Sequence, residues 1–151
     1  MTKTNHDTPK LIEGGISIDD RGEVHFVNDF NFSKVKRFYI VISHKAGIIR
    51  AWHAHKLEAK YVFVVKGAAI VGLVAIDNFA RPSQKNHVYR HILSAKKPAI
   101  LYIPERHANG FMSLKDGTQL IFFSTRTLEQ SKNDDYRYNS RYWDIWKIQE
   151  G

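Results

Sequence analysis

The sequence predicts an all-β fold, a double-sheet jelly-roll barrel. Three observations predict it: short runs of β-branched and aromatic residues recur along the chain, turn signals separate them, and no long amphipathic helical pattern interrupts them. An immunoglobulin-like sandwich would share this periodicity. A chain of 151 residues suits one domain with a real core, and we expect residues 1–10 to be a flexible tail and residues 11–151 a single domain.

The elements follow in order. Asp19-Asp20-Arg21-Gly22 is a turn signal, and residues 23–27 after it alternate polar and apolar as a strand does. Residues 35–43 and 48–54 are further candidate strands, the first rich in β-branched and aromatic side chains. Residues 61–65 form a dense β-former run that stops at Lys66-Gly67, and residues 68–76 follow, so this pair of residues reads as a hairpin turn. Residues 78–86, with Pro82 inside, read as a loop, and residues 87–93, 99–103 and 118–124 as strands. Residues 135–147 carry Tyr136, Tyr138, Tyr142, Trp143 and Trp146 at irregular spacing. We expect that segment to pack on the barrel, with one short helix in it.

Composition narrows the function. Hydrophobic residues make up 43% of the chain, which is globular rather than disordered usage. No apolar run approaches the roughly 18 residues of a membrane helix, and the polar start has no apolar signal region. With no cysteine there is no disulfide framework and no thiolate metal site, so a cytoplasmic protein without membrane contact is expected. Lys and Arg number 23 against 15 Asp and Glu, which points to an anionic partner. The basic residues are scattered through strand-like segments without a run, which speaks for a phosphate-bearing small molecule over a nucleic acid.

The most informative stretch runs from Gly47 to Lys56. On a strand, residues two apart share a face, so His53 and His55 project side by side. Strict alternation puts Ile49 and Ala51 on that face too, with Arg50, Trp52, Ala54 and Lys56 opposite. Paired imidazoles suit either of two chemistries, a metal ion or proton transfer near neutral pH. Trp52, Trp143 and Trp146 read as core, as do Tyr136 and Tyr138.

These residues resemble the cupin superfamily. Its first motif runs glycine, five residues, His-x-His, three or four residues, glutamate, six residues, glycine, and Gly47, His53, His55 and Gly67 fit it. The glutamate position falls on Lys60, a cation where an anionic ligand would be needed. In the second motif Arg106 takes the glycine position and Asn109 the histidine ligand position. The resemblance therefore implies a cupin without metal or other cofactor.

Within that superfamily, Asp20-Arg21-Gly22, Lys36-Arg37-Phe38-Tyr39, the block from Arg50 to Lys56 and Asp134-Asp135-Tyr136-Arg137 are similar to the sugar 3,4-ketoisomerases acting on dTDP-4-keto-6-deoxyglucose. Arg21-Gly22, the segment from Arg50 to His53, that from Lys60 to Gly67, and Ile103-Pro104 through Asn109-Gly110-Phe111 are similar to the dTDP-4-dehydrorhamnose 3,5-epimerases. The resemblance implies an isomerase working beside the ketone of a nucleotide-linked sugar. It also implies a homodimer with exchanged N-terminal strands. Carried over, His53, His55 and Tyr39 are the catalytic candidates, and Arg21, Arg50, Lys60 and Asn109 face the substrate. The epimerases' general-acid tyrosine has no counterpart in residues 122–128. Ketoisomerase, 3- or 5-epimerase and non-catalytic sugar-nucleotide binder stay open as expectations.

Overall fold

A computed structural model describes residues 8–151. Of the tail expected over residues 1–10, residues 1–7 lie outside the described residues, and Lys10 already belongs to the first strand. The strands in chain order are β1 (Lys10–Glu13), β2 (Gly15–Asp19), β3 (Gly22–Phe26), β4 (Arg37–Ile42), β5 (Ile49–His55) and β6 (Lys60–Lys66). There follow β7 (Ala68–Ala75), β8 (Val88–Ser94), β9 (Ala99–Ile103), β10 (His107–Ser113), β11 (Gln119–Ser124), a helical turn α1 (Leu128–Ser131) and β12 (Tyr136–Arg137).

Two antiparallel five-stranded sheets face each other, one in the order β1-β9-β6-β11-β4, the other β12-β5-β10-β7-β8. This is the jelly-roll layout that the strand pattern predicts. Strands β2 and β3 form a separate hairpin. Alternation explains the first sheet: Val62 and Val64 of β6, Leu101 and Ile103 of β9, and Leu120 and Phe122 of β11 point inward. They meet Val71 and Leu73 of β7 and Phe111 of β10 in the core between the sheets. Gly67 takes φ +80° at the β6–β7 turn, a conformation that suits glycine, but the turn is not the expected hairpin: it carries the chain from one sheet to the other, where β6 pairs with β9 and β11 and β7 with β10 and β8.

The central strands of the second sheet, β7 and β10, are buried on both sides. On the outer face of that sheet Trp52, Ala54, Ile70, Val74 and Ala108 pack against Trp143 and Trp146 of the C-terminal segment. That segment therefore covers the barrel as its aromatic content implies. It contains no helix; the helical turn is α1, upstream of the expected position, where Thr127 and Gln130 form a capping box. Strand β10 is another departure from the sequence reading. Its sequence, HANGFMS, is buried along its whole length between β5 and β7, so it shows no alternation to read.

No helix among the described residues is long and apolar enough to cross a membrane.

Candidate active site

Strand β5 does not alternate strictly. His53 pairs with Asn109 but Arg50 pairs with Phe111, so β5 spends one residue more than β10 between these pairs. This bulge corrects the face assignment. Ile49 and Ala51 pack with the Trp52 cluster, while Arg50 turns into the same cavity as His53 and His55. Gly110 makes room for it, because a Cβ there would stand 2.3 Å from the Ala51 Cβ.

The cavity holds about 460 Å³ and opens at one end of the barrel. Tyr39, Arg50, His53, His55, Lys60 and Asn109 all line it, so six of the seven predicted site residues converge. Arg21 does not. It sits at the turn of the β2–β3 hairpin with its guanidinium on Asp19 at 2.6 Å, and its side chain is 87% exposed. Sequence reasoning missed Arg37, Lys132, Asp135 and Arg137, which also reach the cavity. The Asp-Asp-Tyr-Arg run was the available signal for the last two, since β12 pairs with β5 and sets Arg137 opposite His53.

The two imidazoles have different settings. His55 is buried, and its Nδ1–H donates to the Asp134 carbonyl. A carbonyl only accepts, so Nδ1 carries the proton and Nε2 of the neutral ring is an acceptor without a protein partner. The Asp134 carboxylate meanwhile accepts from the backbone N–H groups of Lys56 at 2.7 Å and Leu57 at 2.9 Å, tying down the turn after β5. His53 is half-buried. Burial first, then the positive charges of Arg137 and Lys60, hold its imidazole below the usual 6.5.

Lys60 is buried, and its ammonium donates to the Tyr39 hydroxyl at 2.9 Å. Tyr39 stacks on Phe122, its register partner on β11, with ring centroids 5.2 Å apart. Asn109 donates from its side chain to the His53 carbonyl at 3.3 Å, which steadies the β5 backbone at the bulge. Five cations line the cavity against the single carboxylate of Asp135, a field suited to a multiply charged anion. Among the described residues, no three His, Asp or Glu side chains are grouped to hold a metal ion.

Fold and site together define a jelly-roll cupin with paired histidines in a cation-rich cavity. The chain belongs to the dTDP-4-dehydrorhamnose 3,5-epimerase family, whose sequence pattern matches residues 10–149. Solved structures that it resembles include sugar epimerases and a ketoisomerase. The dTDP-4-dehydrorhamnose 3,5-epimerase of Bacillus anthracis, solved with TDP and pyrophosphate bound, superposes with a TM-score of 0.76 at 22% identity, over 99% of this chain and 90% of that one. The Legionella pneumophila dTDP-6-deoxy-D-glucose-3,5-epimerase, in complex with dTDP-4-keto-L-rhamnose, gives 0.74 at 21%, over 97% and 82%. A 3,4-ketoisomerase from Helicobacter canadensis gives 0.66 at 19%, over 93% and 98%. Among curated protein sequences none matches significantly.

Proposed function

We propose that this protein is a cofactor-independent isomerase of a dTDP-linked 4-keto-6-deoxy sugar, and specifically a 3,4-ketoisomerase. One observation carries the reading: two imidazoles from one strand open side by side into a cation-rich cavity, next to a tyrosine hydroxyl held by Lys60. The C4 ketone acidifies the neighbouring C3–H bond, so the substrate supplies its own electron sink. His53, kept neutral by burial and by Arg137, removes the C3 proton. The bonding pair moves into a C3–C4 enediolate. His55, with its free Nε2, carries a proton from the C3 oxygen to the C4 oxygen. Reprotonation at C4 then leaves the ketone at C3. Tyr39 and Lys60 stabilise the enediolate oxygen, and Arg50, with Arg37 and Arg137, takes the diphosphate.

A second reading, 3- or 5-epimerisation, is favoured by one feature. Tyr39 offers its hydroxyl from β4 directly beside Phe122 of β11, which puts an acid within the cavity although β11 itself has no tyrosine.

The proposal includes a homodimer. The outer face of the first sheet exposes Phe38, Ile40 and Ile42 along β4, with Phe32 beside them, and a second copy would bury this apolar surface. The β2–β3 hairpin exposes Ile18 and Val24 and stands apart from both sheets. Exchanged N-terminal strands would take it, with Arg21, to the partner.

The deciding experiment is incubation with dTDP-4-keto-6-deoxyglucose in deuterated water, followed by NMR. Deuterium at C4 alone supports ketoisomerisation; deuterium at C3 or C5 of an unmoved ketone supports epimerisation; unchanged substrate means a binding protein. His53→Asn is expected to lower turnover on the order of 10²-fold or more while dTDP still binds, and near-native turnover would reject His53 as the base.

A further inference from the structure

One buried charge takes no part in the proton path above. Glu58 lies in the turn between β5 and β6, its side chain is 1% exposed, and it is absent from the cavity lining. Its Oε1 accepts from the Ser131 hydroxyl at 2.6 Å and its Oε2 from Ser124 at 2.7 Å. Three groups of the cavity wall then close on the same carboxylate: Arg37 Nη2 at 3.5 Å, His55 Nδ1 at 3.8 Å and Lys60 Nζ at 3.9 Å. They come from β4, β5 and β6, and each presents its other side to the cavity. A carboxylate this deep is tolerated only when paired and hydrogen-bonded. Here its pairs are the site's own working groups.

We propose that Glu58 is a positioning residue: its carboxylate, set behind the cavity wall, fixes Lys60, Arg37 and His55 and offsets the charge of the two cations without touching the substrate. The proposal rests on the proton-transfer reading of this site. Lys60 sits between the carboxylate and the Tyr39 hydroxyl, so Glu58 sets where that ammonium points. The groups around the His55 ring are Lys60 from β6, Arg37 from β4, His53 on its own strand, His107 opposite on β10 and the Asp134 carbonyl. Glu58 is the carboxylate that meets it.

The test uses the full chain and the variants Glu58→Gln and Glu58→Asp. Glutamine keeps an acceptor and a donor for the two serines but removes the charge. With the charge gone, His55 and Lys60 lose the group that holds them, and the His55 imidazole ¹⁵N resonances are expected to move. On dTDP-4-keto-6-deoxyglucose the same variant is expected to lose about tenfold in kcat, whereas calorimetric binding of dTDP holds or tightens because the cavity becomes more positive. Aspartate keeps the charge and should recover the His55 resonances. Unchanged His55 resonances in Glu58→Gln, with unchanged kcat, overturn the proposal. Absence of turnover in the native protein would reject the isomerase reading, yet the His55 resonances still decide the role of Glu58. If Glu58→Gln does not fold, Glu58→Asp decides alone: a carboxylate drawn back from Lys60 should shift the Tyr39 ring resonances, and native resonances throughout would overturn the proposal.

Discussion

Replacing Asp134 by alanine tests how the site is tied to the fold. Its carboxylate accepts two backbone N–H groups, from Lys56 at 2.7 Å and Leu57 at 2.9 Å, and is buried. Hydrogen bonds to a charged acceptor contribute about 1.5–3 kcal/mol each. The donors belong to exposed residues, so water replaces part of what is lost. A loss of about 3 kcal/mol follows, near the lower single-bond limit taken twice. For a domain of this size each kcal/mol moves Tm by about 2–4 °C, so Asp134→Ala should melt about 6–12 °C lower. Asp134→Asn keeps one good acceptor and should lose about half as much. The assay is urea unfolding followed by tryptophan fluorescence, with calorimetry for Tm. The Trp52 cluster on the far side of β5 reports loss of tertiary packing. A change below about 1 kcal/mol in Asp134→Ala would refute the reasoning, because it would mean that the turn after β5 holds its shape without the carboxylate.

The depressed His53 pKa predicts where activity fails with pH. The neutral base persists below pH 6.5, so the acid limb of kcat/KM should lie below that value. Arg137→Gln removes the second-largest cause and should move the limb upward; a limb above 6.5 in the native protein contradicts the assignment. The same shift acts on stability. The unfolded chain takes the proton first, so the contribution of His53 is complete above about 6.5 and is lost as pH falls through the folded pKa. For assembly, Ile40→Asp places a charge in the exposed apolar strip of β4 and should convert dimer to monomer in sedimentation equilibrium. A native protein that sediments as a monomer at all concentrations would remove the basis for strand exchange.

The sheets were legible where one face of a strand is wet. Arg37–Ile42 and Lys60–Lys66 alternate or run apolar between clear turns, and the structure places them within two residues of the sequence reading. His107–Ser113 was not legible, because a strand with neighbours on both edges and cover on both faces carries no periodic contrast. The His-x-His pair was found because its chemistry is local. Glu58 was not, because its importance comes from Arg37, Ser124 and Ser131, which are distant in the chain. The short helix was misplaced although Thr127 and Gln130 stand at capping-box spacing, a signal that outweighs the aromatic content of the segment after it.

The extra residue in β5 divides one strand into two with opposite addresses. Before it, odd-numbered positions serve the tryptophan layer; after it, odd-numbered positions face the cavity. Deleting a residue there would reverse the faces of the positions before it, swinging the arginine out of the cavity and Ile49 out of the tryptophan layer. The strand's length thus decides which charge reaches the cavity, and the missing side chain at Gly110 is the clearance that lets such a count be kept.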